Sequence, residues 1–97
     1  MVNNAETASI FRELADLLLE KKENWFKIHA YRKVADEIEK QPVELTTLAG
    51  EGKLRTIPGV GEAIEKKIKE ILATGTLGHV ERLKAELEEV QVEQPRK

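Results

Sequence analysis

Lys66, Lys67 and Lys69 follow a Pro58-Gly59-Val60-Gly61 turn, and an amine in that place has two chemistries open to it. As an ammonium it neutralises a phosphate; as a free amine it attacks a carbonyl carbon and forms a Schiff base. The turn itself suits an anion. A helix starting at about Gly61 exposes amides without intrahelical acceptors at the positive end of its macrodipole. Gly59 and Gly61 permit positive φ and remove the Cβ that would hold a second backbone away. Ile57, preceding Pro58, is pushed out of helical geometry, so an arriving helix ends there. A plain helix-to-helix turn has the same composition, and a lone Gly-x-Gly does not decide between the two.

The three lysines are separated by angle. At 3.6 residues per turn Ile64, Ile68, Ile71 and Leu72 form one apolar stripe. Lys66 and Lys69 fall on the solvated side, while Lys67 projects about 60° from Ile64, at the stripe's edge. A partly desolvated amine there loses its proton more readily. A lysine that lays its stem on the core and lifts its head into water satisfies the same geometry.

The elements that position these residues are helical throughout. Asn3 or Asn4 caps a first helix reaching about Lys21, with Glu6 completing a capping box on Asn3 and Ile10, Phe11, Leu14, Leu17 and Leu18 facing inward. Asn24 caps a second helix, about Trp25 to Lys40, closed by Pro42; Ile28, Tyr31, Val34, Ala35 and Ile38 line its buried face, and Lys27 lies one turn before Tyr31. Residues 43 to 56 form one or two short helices around Leu45, Leu48 and Leu54. Gly75 ends the helix that follows the turn. A last helix, about Leu77 to Val90, carries Val80, Leu83, Leu87 and Val90 on one face. With no period-2 alternation anywhere, the expected fold is all-α: a compact bundle of four to five helices containing one helix-hairpin-helix, over residues 1–90, with 91–97 as a frayed tail.

Composition sets bounds. The 97 residues, 40% hydrophobic and 35% charged, suffice for one modest core. There is no cysteine, hence no disulfide and no thiolate metal site. No apolar run approaches a membrane span and no signal-peptide pattern opens the chain, so a cytoplasmic, monomeric protein is expected. The net charge of −2 hides a partition. Residues 21–69 carry eleven Lys and Arg against eight Asp and Glu, residues 1–20 one against four, and residues 81–93 two against five. Any polyanion-binding face is thus expected in the middle, away from both terminal helices.

Three separated segments carry a family resemblance. Asn24-Trp25-Phe26-Lys27-Ile28-His29-Ala30-Tyr31-Arg32-Lys33-Val34-Ala35, followed by Leu-Arg-Thr-Ile-Pro-Gly-Val-Gly at 54–61 and Ile-Leu-Ala-Thr-Gly at 71–75, strongly resembles the N-terminal domain of the family X (beta-like) DNA polymerases, over roughly residues 8–88. The resemblance implies a DNA-binding domain that recognises gapped or nicked DNA with a 5′-phosphate in base excision repair. It further implies 5′-deoxyribose-phosphate lyase activity, with Lys67 as the Schiff-base nucleophile and no cofactor for that chemistry. Lys27 and Tyr31 match positions around the 5′-phosphate, Phe26 a position that stacks on a template base, and Gly59, Val60, Gly61 and Lys66 belong to the DNA-facing hairpin and helix. The backbone carbonyls of Arg55, Ile57 and Val60 match a site for Na⁺ or K⁺ that bridges to a DNA phosphate.

The sequence also departs from that pattern. Ala63 stands where the family's phosphate pocket has a second lysine, and His79 replaces another lysine in the following helix. No triad of metal-binding aspartates exists here, so nucleotidyl transfer is not expected within these residues and would belong to a longer polymerase chain. Three readings stay open: a gap-recognition domain with lyase chemistry, a helix-hairpin-helix module that binds DNA without chemistry, or a protein-interaction domain that keeps only the scaffold.

Overall fold

The computed structural model describes residues 2–93, and side chains as far as Glu88. In chain order it contains α1 (Asn4–Glu20), α2 (Trp25–Glu39), α3 (Leu45–Gly50), a 3-10 turn (Leu54–Thr56), α4 (Glu62–Thr74) and α5 (Gly78–Glu93). Among the described residues there is no strand, so the all-α reading of the periodicity holds, with five α-helices.

Most helix ends are fixed by local chemistry. At α1 the Asn3 side chain accepts the Glu6 amide at 2.8 Å and the Glu6 carboxylate accepts the Asn3 amide at 2.9 Å, a reciprocal capping box. The same helix closes with Lys22 at φ 59°, where the Lys22 amide donates to the Leu19 carbonyl at 3.0 Å and the Glu23 amide to the Leu18 carbonyl at 2.9 Å. This is a Schellman closure with lysine in the place glycine usually takes. Asn24 caps α2 by accepting the Phe26 amide at 2.7 Å. Gly75, at φ 82°, ends α4, and the Gly78 amide opening α5 donates to the Glu70 carboxylate at 2.7 Å. The short α3 has no cap of its own. Asn4 serves it from a distance, donating to the Val43 carbonyl at 3.0 Å and accepting the Leu45 amide at 2.9 Å.

One core joins all these elements. Phe11, Leu14 and Leu18 of α1 meet Ile28, Val34 and Ile38 of α2, Leu45 of α3, Ile68 and Ile71 of α4, and Val80 and Leu83 of α5. Leu54, Ile57 and Val60 carry the segment before α4 into the same cluster. Arg12 clamps α1 to α2 from outside, donating to Asp36 at 2.7 Å and to Glu39 at 2.9 Å. The end of α5 lies three residues past the expected Val90, and residues 94–97 of the expected tail lie outside the described residues. Among the described residues no helix is long and apolar enough to cross a membrane.

Candidate nucleic-acid interface

The turn before α4 is held from inside the protein. Ile57, at φ −74° and ψ 127°, leaves the 3-10 turn in extended geometry, as its place before Pro58 requires. The Val60 amide then donates to the Ile57 carbonyl at 3.1 Å, and the Val60 side chain is buried. The two glycines turn out to differ. Gly59 has φ 89°, and a Cβ there would meet Val34 Cγ2 at 3.3 Å, so both backbone and packing demand glycine. Gly61, the N-cap residue, is extended at φ −106° and ψ −165°, which any residue adopts, and a Cβ would have no protein atom within 4 Å. Of the two, only Gly59 uses the positive φ that glycine permits.

No side chain caps α4. Its first turn carries Glu62 and Glu65, and the second is occupied: Arg55 Nε donates to Glu65 Oε1 at 2.8 Å and Lys69 stands 3.7 Å away. The Arg55 hydrogen bond holds the Glu65 carboxyl below the usual carboxylate range, aided by Lys69. The 3-10 turn and α4 are thus pinned together across the hairpin.

Lys66 and Lys69 are exposed while Lys67 is partly buried, as the helical angles predict. Lys67 lines a groove of about 520 Å³ with Glu62, Ala63, Lys66 and Glu70. Burial is the main influence pushing its amine below the usual lysine range; Glu70 opposes this, and the positive charges of Arg82 and Lys27 reinforce it.

A second cleft, of about 310 Å³, opens between the end of α1, the start of α2 and α5. Lys27, His79 and Arg82 line it, with Lys21, Glu23 and Glu86 at its sides and Leu18 and Leu83 at its apolar wall. Lys21 and Glu86 form an ion pair across it. The Nδ1 atom of His79 is buried and has no hydrogen-bond partner. Burial lowers the His79 pKa, and Lys67, Arg82 and Lys27 lower it further against the pull of Glu23. Lys27, Lys67, His79 and Arg82 are close enough to feel one another's charge.

This cluster corrects the charge count, which placed the basic region away from the terminal helices. The acids of residues 81–93 outnumber its cations, but His79 and Arg82 stand three positions apart on one face and point where Lys27 does. A reading by helix face, instead of by segment, would have found them. Tyr31 is only partly in place: its ring stacks on Phe11 with centroids 6.0 Å apart, desolvation raises its phenol pKa, and it does not line the cleft. Phe26 lies at the first turn of α2 and is 80% exposed.

Two helical arms joined by a Pro-Gly turn, with the second helix uncapped at the turn, constitute a helix-hairpin-helix fold. The comparison with known families agrees: the family described as helix-hairpin-helix domain matches residues 2–77. The chain belongs to that family, whose domains bind DNA.

Proposed function

We propose that this domain grips DNA through the α4 hairpin and receives a 5′-phosphate end of a gap or nick in the cleft beside it, as the beta-like family X polymerase resemblance implies. The observation that carries the reading is the gathering of Lys27, His79 and Arg82 around one cleft, with Lys67, in the groove along α4, close enough to feel their charge. Four nitrogen donors can neutralise and bond a phosphate dianion that no single lysine would hold in water. Arg82 supplies the cation that Ala63 does not. Gly59 and Gly61 present backbone amides to the duplex, Val60 fixes the turn between them, and Lys66 stands exposed beside them. Duplex binding then rests on backbone groups and a few cations, which fits a chain of net charge −2.

The carbonyls of Arg55, Ile57 and Val60 are the groups that would hold Na⁺ or K⁺ at the hairpin. They are neutral oxygen donors on a backbone fixed by the Ile57–Val60 hydrogen bond, which suits a hard monovalent ion. Such an ion would add positive charge facing a DNA phosphate. No group of three or more His, Asp or Glu side chains that could hold a metal occurs among the described residues.

Lys67 is the nucleophile of the lyase step in this reading. Its free amine attacks C1′ of the ring-opened sugar and water leaves, giving a protonated imine. A base removes a C2′ proton, the electron pair forms the C1′–C2′ enamine system, and the C3′–O bond breaks with the phosphate leaving on the DNA strand. Water then hydrolyses the imine and returns Lys67. Partial burial and the neighbouring charges of Arg82 and Lys27 favour the free amine that the first step needs.

The groove lining at Ala63 favours a second reading, in which the same surface binds a 5′-phosphate without turnover. Borohydride trapping on incised abasic DNA separates the two. A covalent adduct that Lys67→Ala abolishes supports the lyase; 5′-phosphate-dependent binding with no adduct leaves a recognition domain; binding indifferent to the 5′-phosphate overturns the assignment of the cleft.

A further inference from the structure

The chain has four aromatic residues, and two of them lie outside the core. Trp25 is 58% exposed and Phe26 is 80% exposed, side by side where α2 begins. Large aromatic side chains are ordinarily drawn into the core, so adjacent exposed ones mark a surface with a use. Trp25 is also ordered: the His29 ring, one turn on, stacks against it with centroids 5.2 Å apart and planes inclined by 29°. Together with Arg32, Lys33 and Asp36 the pair lines a shallow cleft of about 290 Å³.

Positive charge predominates around the pair, with Arg32 and Lys33 against Asp36. Residues 24–35 hold Lys27, Arg32 and Lys33 and no acid. Asp36, at the far end of the cleft, is bonded to Arg12 at 2.7 Å. Arg32 meets Asp16 at 3.3 Å in an exposed pair, and the exposed Lys33 stands 4.0 Å from the largely covered Glu37, so a phosphate can compete for both cations at little cost. A flat aromatic face bordered by cations is suited to a ligand that alternates π-faces with phosphates. An acidic peptide would use the cations but leave the indole idle.

We infer that the Trp25–His29 pair is a stacking platform for an unpaired nucleotide, with Lys33 and Arg32 holding the adjacent phosphates of a single strand. This extends the DNA-binding reading to a second surface and shares with it only the class of ligand. The chain contains one tryptophan, so emission excited selectively at the indole comes from this platform. Titration with an unphosphorylated oligothymidylate, which offers neither a duplex nor a 5′-phosphate, is expected to quench the emission saturably. By anisotropy with the labelled strand, Trp25→Leu is expected to weaken binding about tenfold and Lys33→Gln about threefold. His29→Ala, which leaves the reporter in place, is expected to reduce both affinity and quenching. Unchanged emission, or a folded Trp25→Leu chain that binds the strand like the parent, overturns the proposal. Binding of a blunt duplex, measured alongside, tests the hairpin independently: a duplex bound without quenching by oligothymidylate removes the platform and spares the hairpin, and the reverse result does the opposite.

Discussion

Asn4 accepts the Leu45 amide at 2.9 Å across forty-one positions of sequence, and so the start of the first helix caps the third. The bond is partly buried, and the same side chain donates to Val43 at 3.0 Å. Asn4→Ala removes both bonds and strands the Leu45 amide. A loss of about 1–2 kcal/mol in urea unfolding is expected, with DNA affinity of the folded variant unchanged because Asn4 touches neither the hairpin nor the cleft.

Gly59 and Gly61 should respond differently to the same substitution. Gly59→Ala forces a Cβ onto a left-handed residue and toward Val34, and is expected to cost about 1–2 kcal/mol of stability. Gly61→Val meets no protein atom at Cβ and has an ordinary backbone, so stability should hold while duplex affinity falls. A Gly61→Val chain that binds duplex like the parent would show that no DNA backbone approaches there.

Lys22 keeps a left-handed conformation that costs a side chain about 1 kcal/mol relative to glycine. Lys22→Gly is therefore expected to raise the midpoint of thermal unfolding, and an unchanged or lowered midpoint would mean that the freedom gained by the unfolded chain outweighs the relief.

Arg82 tests the cleft. Arg82→Ala is expected to weaken binding of 5′-phosphorylated nicked DNA about fivefold and to leave the 5′-hydroxyl form nearly unaffected. Equal losses on both forms would place Arg82 in general backbone contact instead.

His79 makes the cleft sensitive to pH. Its folded pKa lies below the ordinary value near 6.5, so around pH 6 the unfolded chain binds more protons than the folded one. This component of stability is present above pH 6.5 and is lost as pH falls through the depressed folded value. On the proposed reading a bound phosphate would act in the opposite sense: a dianion would offset Lys27, Lys67 and Arg82, raise the His79 pKa, and leave Glu23 and Glu86 as the remaining acids beside it. The preference for a 5′-phosphate should rise as pH drops from 8 toward about 7, above the range where the phosphate itself takes up its second proton. His79→Gln should flatten both profiles, and a preference that rises equally in that variant would assign the effect elsewhere.

Much of this was legible because its causes are local. The Asn3–Glu6 box, the Asn24 cap, the Gly75 terminus and the partial burial of Lys67 each follow from spacings within one or two turns of helix. What was not legible depends on packing between distant segments. Asn4 as a cap for α3 needs the fold to bring residues 4 and 45 together. The placing of Arg82 beside Lys27 needs α5 laid against α1 so that its face reaches the start of α2, which no count of charges along α5 contains. The unequal demands on Gly59 and Gly61 arise because Val34, from another helix, fills the space beside only one of them.

On α5 the residues that build the core and those that line the cleft interleave: Val80 and Leu83 are buried, while His79 and Arg82, one position before each, face the cleft. The cleft can therefore change its charge, its proton affinity or its reach by single substitutions that leave the apolar seam intact. The hairpin has no such freedom, since Gly59 and Val60 are set by packing. On the proposed reading, a lineage carrying this scaffold could accordingly keep a constant grip on duplex DNA while exploring which strand ends it accepts, with variation concentrated at positions 79 and 82.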